Sequence, residues 1–119
     1  MFHFKAPGRR LQQDFLAVEW GEFSSYVEVG DDQYAIRQVE LFDNGNVLRY
    51  DREHWCDDYA MMAALKFSRK PKWSVYFLGA ELINPPEFEK VWRIAERSEL
   101  WAQQVKRSRV KQWGAFRAG

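Results

Sequence analysis

The sequence predicts an α+β domain, in which a mostly antiparallel sheet of three to five strands carries a C-terminal helix packed on one face. Three observations lead to this prediction. Residues 35–51 have the pattern of a β-hairpin, residues 23–29 alternate between apolar and polar side chains, and a helix start signal lies at Asn84. Alternating strands followed by a helix are typical of a sheet with one helical layer.

The hairpin has the most specific sequence pattern of the predicted elements. Two β-rich runs, 36–42 and 47–50, are separated by Asp43-Asn44-Gly45-Asn46. Asn-Gly supplies the positive φ angles of a type I′ turn, so this turn type is predicted. An isolated hairpin is marginal in water, and other elements must therefore cover its apolar face.

The faces of the hairpin follow from the two-residue period of a strand. Val39 and Leu41 are predicted to point towards the core, and Gln38 and Glu40 towards water. The sheet is therefore expected to have one wet face.

The helix signal combines three features. Asn84 is a good N-cap residue, Pro85 suits the first helical turn, and Glu87 can reach back to the cap and meet the positive end of the helix dipole. An apolar stripe follows and lapses at residues 98–99, where the helix is expected to end or bend before a second segment. The stripe consists of Phe88, Val91, Trp92, Ala95, Ala102 and Val105.

The remaining segments are less regular. Residues 15–20 fit a strand or a helical turn equally well. Residues 55–67 are ambiguous, because Ala, Met and Leu favour a helix whereas a meander would need a further strand there, and we favour the strand. Residues 68–72 are predicted to form a basic loop, 73–78 are a short apolar piece, and 80–83 are interpreted as another short strand. In domain terms, 1–13 is predicted to be a poorly ordered basic arm, 14–105 a single domain and 106–119 a basic tail.

Length and composition limit the class of protein. The 119 residues suffice for one domain, and 17% aromatic residues are too many for a disordered chain. The single cysteine, Cys56, cannot form an internal disulfide and fits a reducing compartment. No apolar run reaches the roughly 18 residues that span a bilayer, and the N-terminus lacks a secretory signal pattern. A cytoplasmic location is expected.

The formal net charge of +1 conceals two oppositely charged halves. Residues 14–63 carry a net charge of −9, and residues 64–119 carry +7. Two interpretations remain open: the halves complement each other within the folded domain, or an acidic surface faces a basic partner.

The acidic half supplies the candidate binding surface, because carboxylates steer a basic partner and amphipathic aromatic rings supply contact area. The candidate contacts are Asp31, Asp32, Asp51, Glu53, Trp55, Asp57, Asp58 and Tyr59.

Two other candidates are weaker. His54 and Cys56 could act as base and nucleophile, but no third orienting group follows from their spacing, so no catalytic residue is assigned. The sequence offers too few ligands for a metal site and indicates no cofactor. The basic C-terminal segment is interleaved with aromatic residues and could contact phosphates and bases through Lys106, Arg107, Arg109 and Lys111.

The runs 36–45 and 87–92 contain the patterns R-x-V-E-x-F-x-x-G and E-F-E-x-V-W. With the strand 26–29 and residues 81–84, they resemble a small, mostly uncharacterised bacterial α+β domain family over about residues 25–95. Members of that family look like components of toxin–immunity neighbourhoods. The resemblance implies an immunity-type role and no catalytic residues.

The predicted function is therefore that of a non-enzymatic binding protein, an immunity-like inhibitor that covers a basic toxin domain with its acidic and aromatic face. The alternative is a small nucleic-acid-associated protein that uses the basic C-terminal segment. Neither the identity of the partner nor the oligomeric state follows from the sequence.

Overall fold

A computed structural model describes residues 1–68 and 79–109. Within these described residues, five strands precede two α-helices: β1 (Phe2–Arg9), β2 (Glu22–Val29), β3 (Ala35–Phe42), β4 (Val47–Asp51), β5 (Glu81–Ile83), α1 (Pro85–Glu96) and α2 (Trp101–Lys106). A 3-10 helix, Leu16–Trp20, lies between β1 and β2. The predicted α+β class, with an antiparallel sheet and a helix packed on it, is confirmed.

The strands form one antiparallel sheet in the order β4-β3-β2-β1-β5. The first strand is interior, because it pairs with β2 from Phe2↔Val29 to Arg9↔Glu22 and with β5 on its other side. The prediction of an arm outside the fold is therefore wrong for Phe2–Arg9. Pro7-Gly8 suggested a loop, yet Gly8 lies in the strand where an added Cβ would come within 3.0 Å of the Phe23 ring.

The hairpin is confirmed, but its predicted turn type is wrong. The amide of Gly45 donates to the Phe42 carbonyl at 2.9 Å, and the amide of Phe42 donates to the Asn46 carbonyl at 2.9 Å. Gly45 has φ +94°, whereas Asn44 does not have a positive φ. A type I′ turn needs positive φ at both central residues. The bond between Phe42 and Asn46 closes a connection of three residues, 43–45, and only the last of them, Gly45, has a positive φ.

Both faces of the sheet are covered. On one face, α1 packs Val91 and Ala95 against Val39 of β3. On the other face lies the main core, to which residues of the irregular segment 52–68 such as Ala60, Met62 and Phe67 contribute. The predicted wet face is therefore wrong, since Gln38 and Glu40 are 2% and 0% exposed.

Residues 15–20, which fitted two interpretations, contain the 3-10 helix. The prediction of a strand over 55–67 is wrong. This segment makes only isolated bridges, between Cys56 and Met61 and between Asp57 and Ser108. Besides a few backbone hydrogen bonds, the Asp57 side chain accepts the amides of Tyr59 and Ala60.

The helix start is confirmed. The Asn84 side chain accepts a hydrogen bond from the Glu87 amide at 2.9 Å, and Pro85 is the first helical residue. The Glu87 carboxylate lies 3.3 Å from Lys5 Nζ on β1. The helix ends at Glu96 and α2 begins at Trp101, as the lapse in the apolar stripe predicted.

Residues 107–109 belong to the fold and not to a separate tail, since the Arg109 amide donates to the Cys56 carbonyl at 3.1 Å. The predictions for 69–72, 73–78 and 110–119 lie outside the described residues. No helix in 1–68 or 79–109 is both long and apolar enough to cross a membrane.

Candidate functional site

Four of the eight predicted contact residues, Asp31, Asp32, Asp51 and Glu53, lie at one end of the sheet, and we call them the acidic loop pair. Antiparallel pairing brings the β2–β3 connection next to the end of β4. Arg52 joins the two loops: its Nη2 lies 2.9 Å from Asp32 Oδ1, and its Nε donates to the Ala35 carbonyl at 2.9 Å.

The acidic loop pair keeps exposed charge. The Asp31 side chain is 91% exposed, and its bond of 2.7 Å to the amino group of Met1 lowers the pKa of Asp31. Asp51 accepts the backbone amides of Glu53 and His54 through one oxygen, at 2.8 Å each. Glu53 is exposed. The four carboxylates of the acidic loop pair carry a charge of −4, and Arg52 and the Met1 amino group together contribute +2. The local net charge is therefore −2.

A cavity of about 420 Å³ adjoins the acidic loop pair, because Met1 both lines it and contacts Asp31. Its apolar lining includes Phe2, Leu82 and Ile83. Leu82 is 54% exposed. The cavity therefore offers apolar surface close to the exposed carboxylate of Asp31.

Two carboxylates that line this cavity, Glu28 and Glu89, are bound by one guanidinium. Arg37 Nε and Nη2 each lie 2.8 Å from Glu28 oxygens, and Arg37 also pairs with Glu89 on α1. His3 Nε2 lies 2.9 Å from Glu28 Oε2. Burial alone would raise the pKa of Glu28, but the bonds to Arg37 and His3 outweigh it and the pKa is lowered. This cluster fastens α1 to the sheet.

Asp57 is a buried structural residue, so the prediction that it contacts a partner at the surface is wrong. It is 0% exposed, and one oxygen accepts the Tyr50 hydroxyl at 2.9 Å and the amides of Tyr59 and Ala60. The other oxygen binds His54 Nε2 at 2.8 Å and Gln104 Nε2 at 3.0 Å. We call Asp57 with Tyr50, His54 and Gln104 the Asp57 hub.

The Asp57 hub connects three parts of the chain. Gln104 of α2 also donates to the Arg49 carbonyl at 2.9 Å and accepts the Arg49 amide at 3.3 Å, so α2 is bonded to the edge strand β4. Burial and the Asp57 charge raise the pKa of Tyr50 well above its usual value, so its hydroxyl remains a donor. Sequence reasoning missed Gln104, since a glutamine in a short helix carries no signal of burial.

The other three predicted contacts lie along the segment that follows β4. Asp58 binds Arg109 Nε at 2.9 Å and Arg107 Nη1 at 3.5 Å, and these arginines lower the pKa of Asp58 despite the opposing effect of its partial burial. Tyr59 is half-buried against the Trp20 ring, with centroids 5.4 Å apart. Trp55 is half-buried against the core. Asp58 is thus neutralised by the positive half of the same chain.

Two of the four basic residues proposed to contact nucleic acid, Arg107 and Arg109, form ion pairs within the chain. Besides Asp58, Arg109 binds Asp14 at 3.3 Å and lies over the Phe15 ring at 4.9 Å. Lys106 is exposed at the end of α2. Lys111 lies outside the described residues. The contacts of Arg107 and Arg109 support the interpretation that the charged halves partly complement each other.

The geometry of His54 and Cys56 does not form a nucleophile–base pair. His54 binds the Asp57 carboxylate, whereas Cys56 Sγ lies 4.0 Å from the Asp57 carbonyl oxygen. Burial raises the pKa of Cys56, which disfavours the reactive thiolate. Within 1–68 and 79–109, no group of three His, Cys, Asp or Glu residues could hold a metal ion.

No protein-family model, curated protein or solved structure matches this chain. The motif residues behind the family resemblance have structural positions here. Arg37 binds Glu28 and Glu89, Glu40 is buried, and Gly45 makes the turn. Arg37, Glu40 and Gly45 therefore contribute to the fold.

Proposed function

We propose that this protein is a non-enzymatic binding domain, an immunity-like inhibitor that covers a basic surface of a bacterial toxin in the cytoplasm. The family resemblance supports the immunity role, and occupancy of the toxin surface is sufficient for inhibition. The observation that carries the proposal is the acidic loop pair, whose Asp31 is connected through Met1 to a cavity with apolar lining.

The proposed contacts are limited to the acidic loop pair. Asp31, Asp32, Asp51 and Glu53 remain, because Arg52 joins their two loops and Met1 connects Asp31 to the cavity. Asp57 is excluded by its complete burial, and Asp58 is already bound to two arginines. Charge on the loops steers the encounter with a cationic partner, and the cavity provides a place for an apolar anchor.

The test begins with the genes adjacent to the one that encodes this chain. Each adjacent product is expressed with and without this protein, and growth is measured. We expect one product to arrest growth alone and to be neutralised on co-expression. The purified pair should bind with an affinity that falls as salt concentration rises, since the contact is partly ionic.

A matched pair of variants tests the surface. Asp31→Lys with Glu53→Lys should weaken binding by about tenfold or more and reduce its salt dependence. Glu22→Lys with Asp43→Lys makes the same charge change at the opposite end of the sheet, where both residues are exposed, and should leave the affinity within about twofold. Equal effects of the two pairs would refute the proposed surface, and an absence of any neutralised neighbour product would refute the role.

Nucleic-acid binding is the competing outcome. Arg107 and Arg109 could take part in it only by exchanging their bonds to Asp58 for phosphate contacts. Binding to single- and double-stranded nucleic acid is measured at two salt concentrations, and we expect none at physiological salt. Tight binding with a steep salt dependence would favour the alternative.

A further inference from the structure

Three buried side-chain atoms have no hydrogen-bond partner among residues 1–68 and 79–109: Arg10 Nε, Ser25 Oγ and Glu40 Oε1. Buried polar groups in proteins are nearly always bonded, either to protein or to an ordered water molecule. Ser25 is 3% exposed and Glu40 is 0% exposed, so bulk water does not reach them. Their shared lack of a partner calls for a common explanation.

Register and charge place the three residues together. Ser25 of β2 is the direct cross-strand partner of Glu40 on β3, and directly opposed side chains on one face are close neighbours. Arg10, which follows β1, pairs through Nη2 with Glu40 Oε2. Arg10 therefore approaches the same carboxylate that Ser25 faces.

The bonds of the Glu40 carboxylate are unevenly distributed. Oε2 pairs with Arg10 Nη2 and accepts a hydrogen bond from Gln38 Nε2 at 2.9 Å. Oε1 accepts no hydrogen bond from the described residues. A two-pronged arginine–carboxylate pair would engage both oxygens, but here Nε and Oε1 are both unused. The Arg10 guanidinium and the Glu40 carboxylate thus make one of the two parallel hydrogen bonds of a bidentate pair.

We propose that a single buried water molecule bridges Arg10 Nε, Glu40 Oε1 and Ser25 Oγ. The three atoms offer one donor, one acceptor and one hydroxyl that does both, which matches the two to four bonds of a typical buried water. An ion fits less well, because a cation would meet Arg10 and an anion would meet Glu40. The water completes the polar contacts between Arg10, which follows β1, and the strands β2 and β3.

The surroundings would hold this water for long residence times. The Arg10 guanidinium lies over the Phe15 and Phe23 rings, at 5.6 Å and 5.8 Å from their centroids. Phe15 and Phe23 are 5% and 9% exposed. Aromatic rings therefore border the side of the site from which Arg10 enters.

Two measurements test the proposal. A high-resolution crystal structure should show a water oxygen within about 2.7–3.2 Å of all three atoms. Oxygen-17 magnetic relaxation dispersion counts long-lived buried waters, and Ser25→Val should lose one of them because the added methyl groups occupy the site. Ser24→Val is the matched control, since Ser24 is the exposed neighbour on the same strand, and its count should equal that of the wild type.

The crystal structure needs no variant, so the proposal remains testable if Ser25→Val fails to fold. A direct bond between Arg10 Nε and Glu40 Oε1 with no water density would overturn the proposal. An unchanged count of long-lived waters in folded Ser25→Val would do the same.

Discussion

The Tyr50 hydroxyl donates a hydrogen bond of 2.9 Å to Asp57, and both side chains are completely buried. The bond joins edge strand β4 to the irregular segment that covers one face of the sheet. Because the same carboxylate also binds His54 and Gln104, Asp57 links the strand, the segment and α2.

Replacing Asp57 with alanine should therefore destabilise the protein severely. The change leaves several buried donors without an acceptor, and removal of one partner from a buried charged network costs about 3–5 kcal/mol. Urea denaturation measures the free energy of unfolding. Asp58→Ala is the control one residue away, because the Asp58 side chain is 37% exposed and its ion pairs are worth about 0–1 kcal/mol. Equal losses in the two variants would contradict the role of the Asp57 hub.

Glu28 should make stability dependent on pH in the acidic range. Its pKa is lower in the folded state than in the unfolded state, so the unfolded chain binds more protons and low pH favours unfolding. The contribution is fully present above the unfolded value of about 4.3 and is lost as pH falls through the folded pKa. Between pH 5 and pH 3, the urea concentration at the midpoint of unfolding should fall less in Glu28→Gln than in the wild type.

Glu22→Gln provides the control for this measurement, since Glu22 is an exposed residue of the same strand. We expect its stability to follow the wild-type dependence on pH. If Glu28→Gln retained the full wild-type slope, the ion pair with Arg37 would not be the source of the acid sensitivity.

The elements that sequence analysis found are those with a local chemical cause. Gly45 marks the hairpin connection, and the Asn84–Pro85 pair marks the start of α1, because turns and caps are formed by neighbouring residues. A signal for β1 was also present, since Phe2, Phe4 and Ala6 alternate with more polar residues, but Pro7-Gly8 and two arginines suggested a loop.

The site was less predictable for a physical reason. The burial of Asp57 depends on Gln104, which lies 47 residues further along the chain, and no local pattern links the two. Asp57 and Asp58 are adjacent and chemically alike, yet one is buried and the other is bound to arginines near the surface. Only the tertiary structure distinguishes a structural carboxylate from one available to a partner.

The Cys56 thiol should react slowly in the folded protein. Burial raises its pKa, although the charge of Arg109 opposes this effect, so the thiolate fraction at neutral pH is below that of a free cysteine. The rate of reaction with a disulfide reagent is measured at pH 7 with and without denaturant, and unfolding should accelerate it. A native rate above the unfolded rate would revive the assignment of Cys56 as a nucleophile.

The interior position of β1 can be tested with one substitution. Phe4 is 0% exposed and its ring centroid lies 5.1 Å from that of Phe67, so Phe4→Ala removes packing from the main core. We expect a loss of about 3–5 kcal/mol in the free energy of unfolding, measured by urea denaturation. Leu11→Ala is the control, because Leu11 is 77% exposed and its removal should change stability by no more than about 0.5 kcal/mol. If residues 1–13 were an arm outside the fold, both variants would match the wild type.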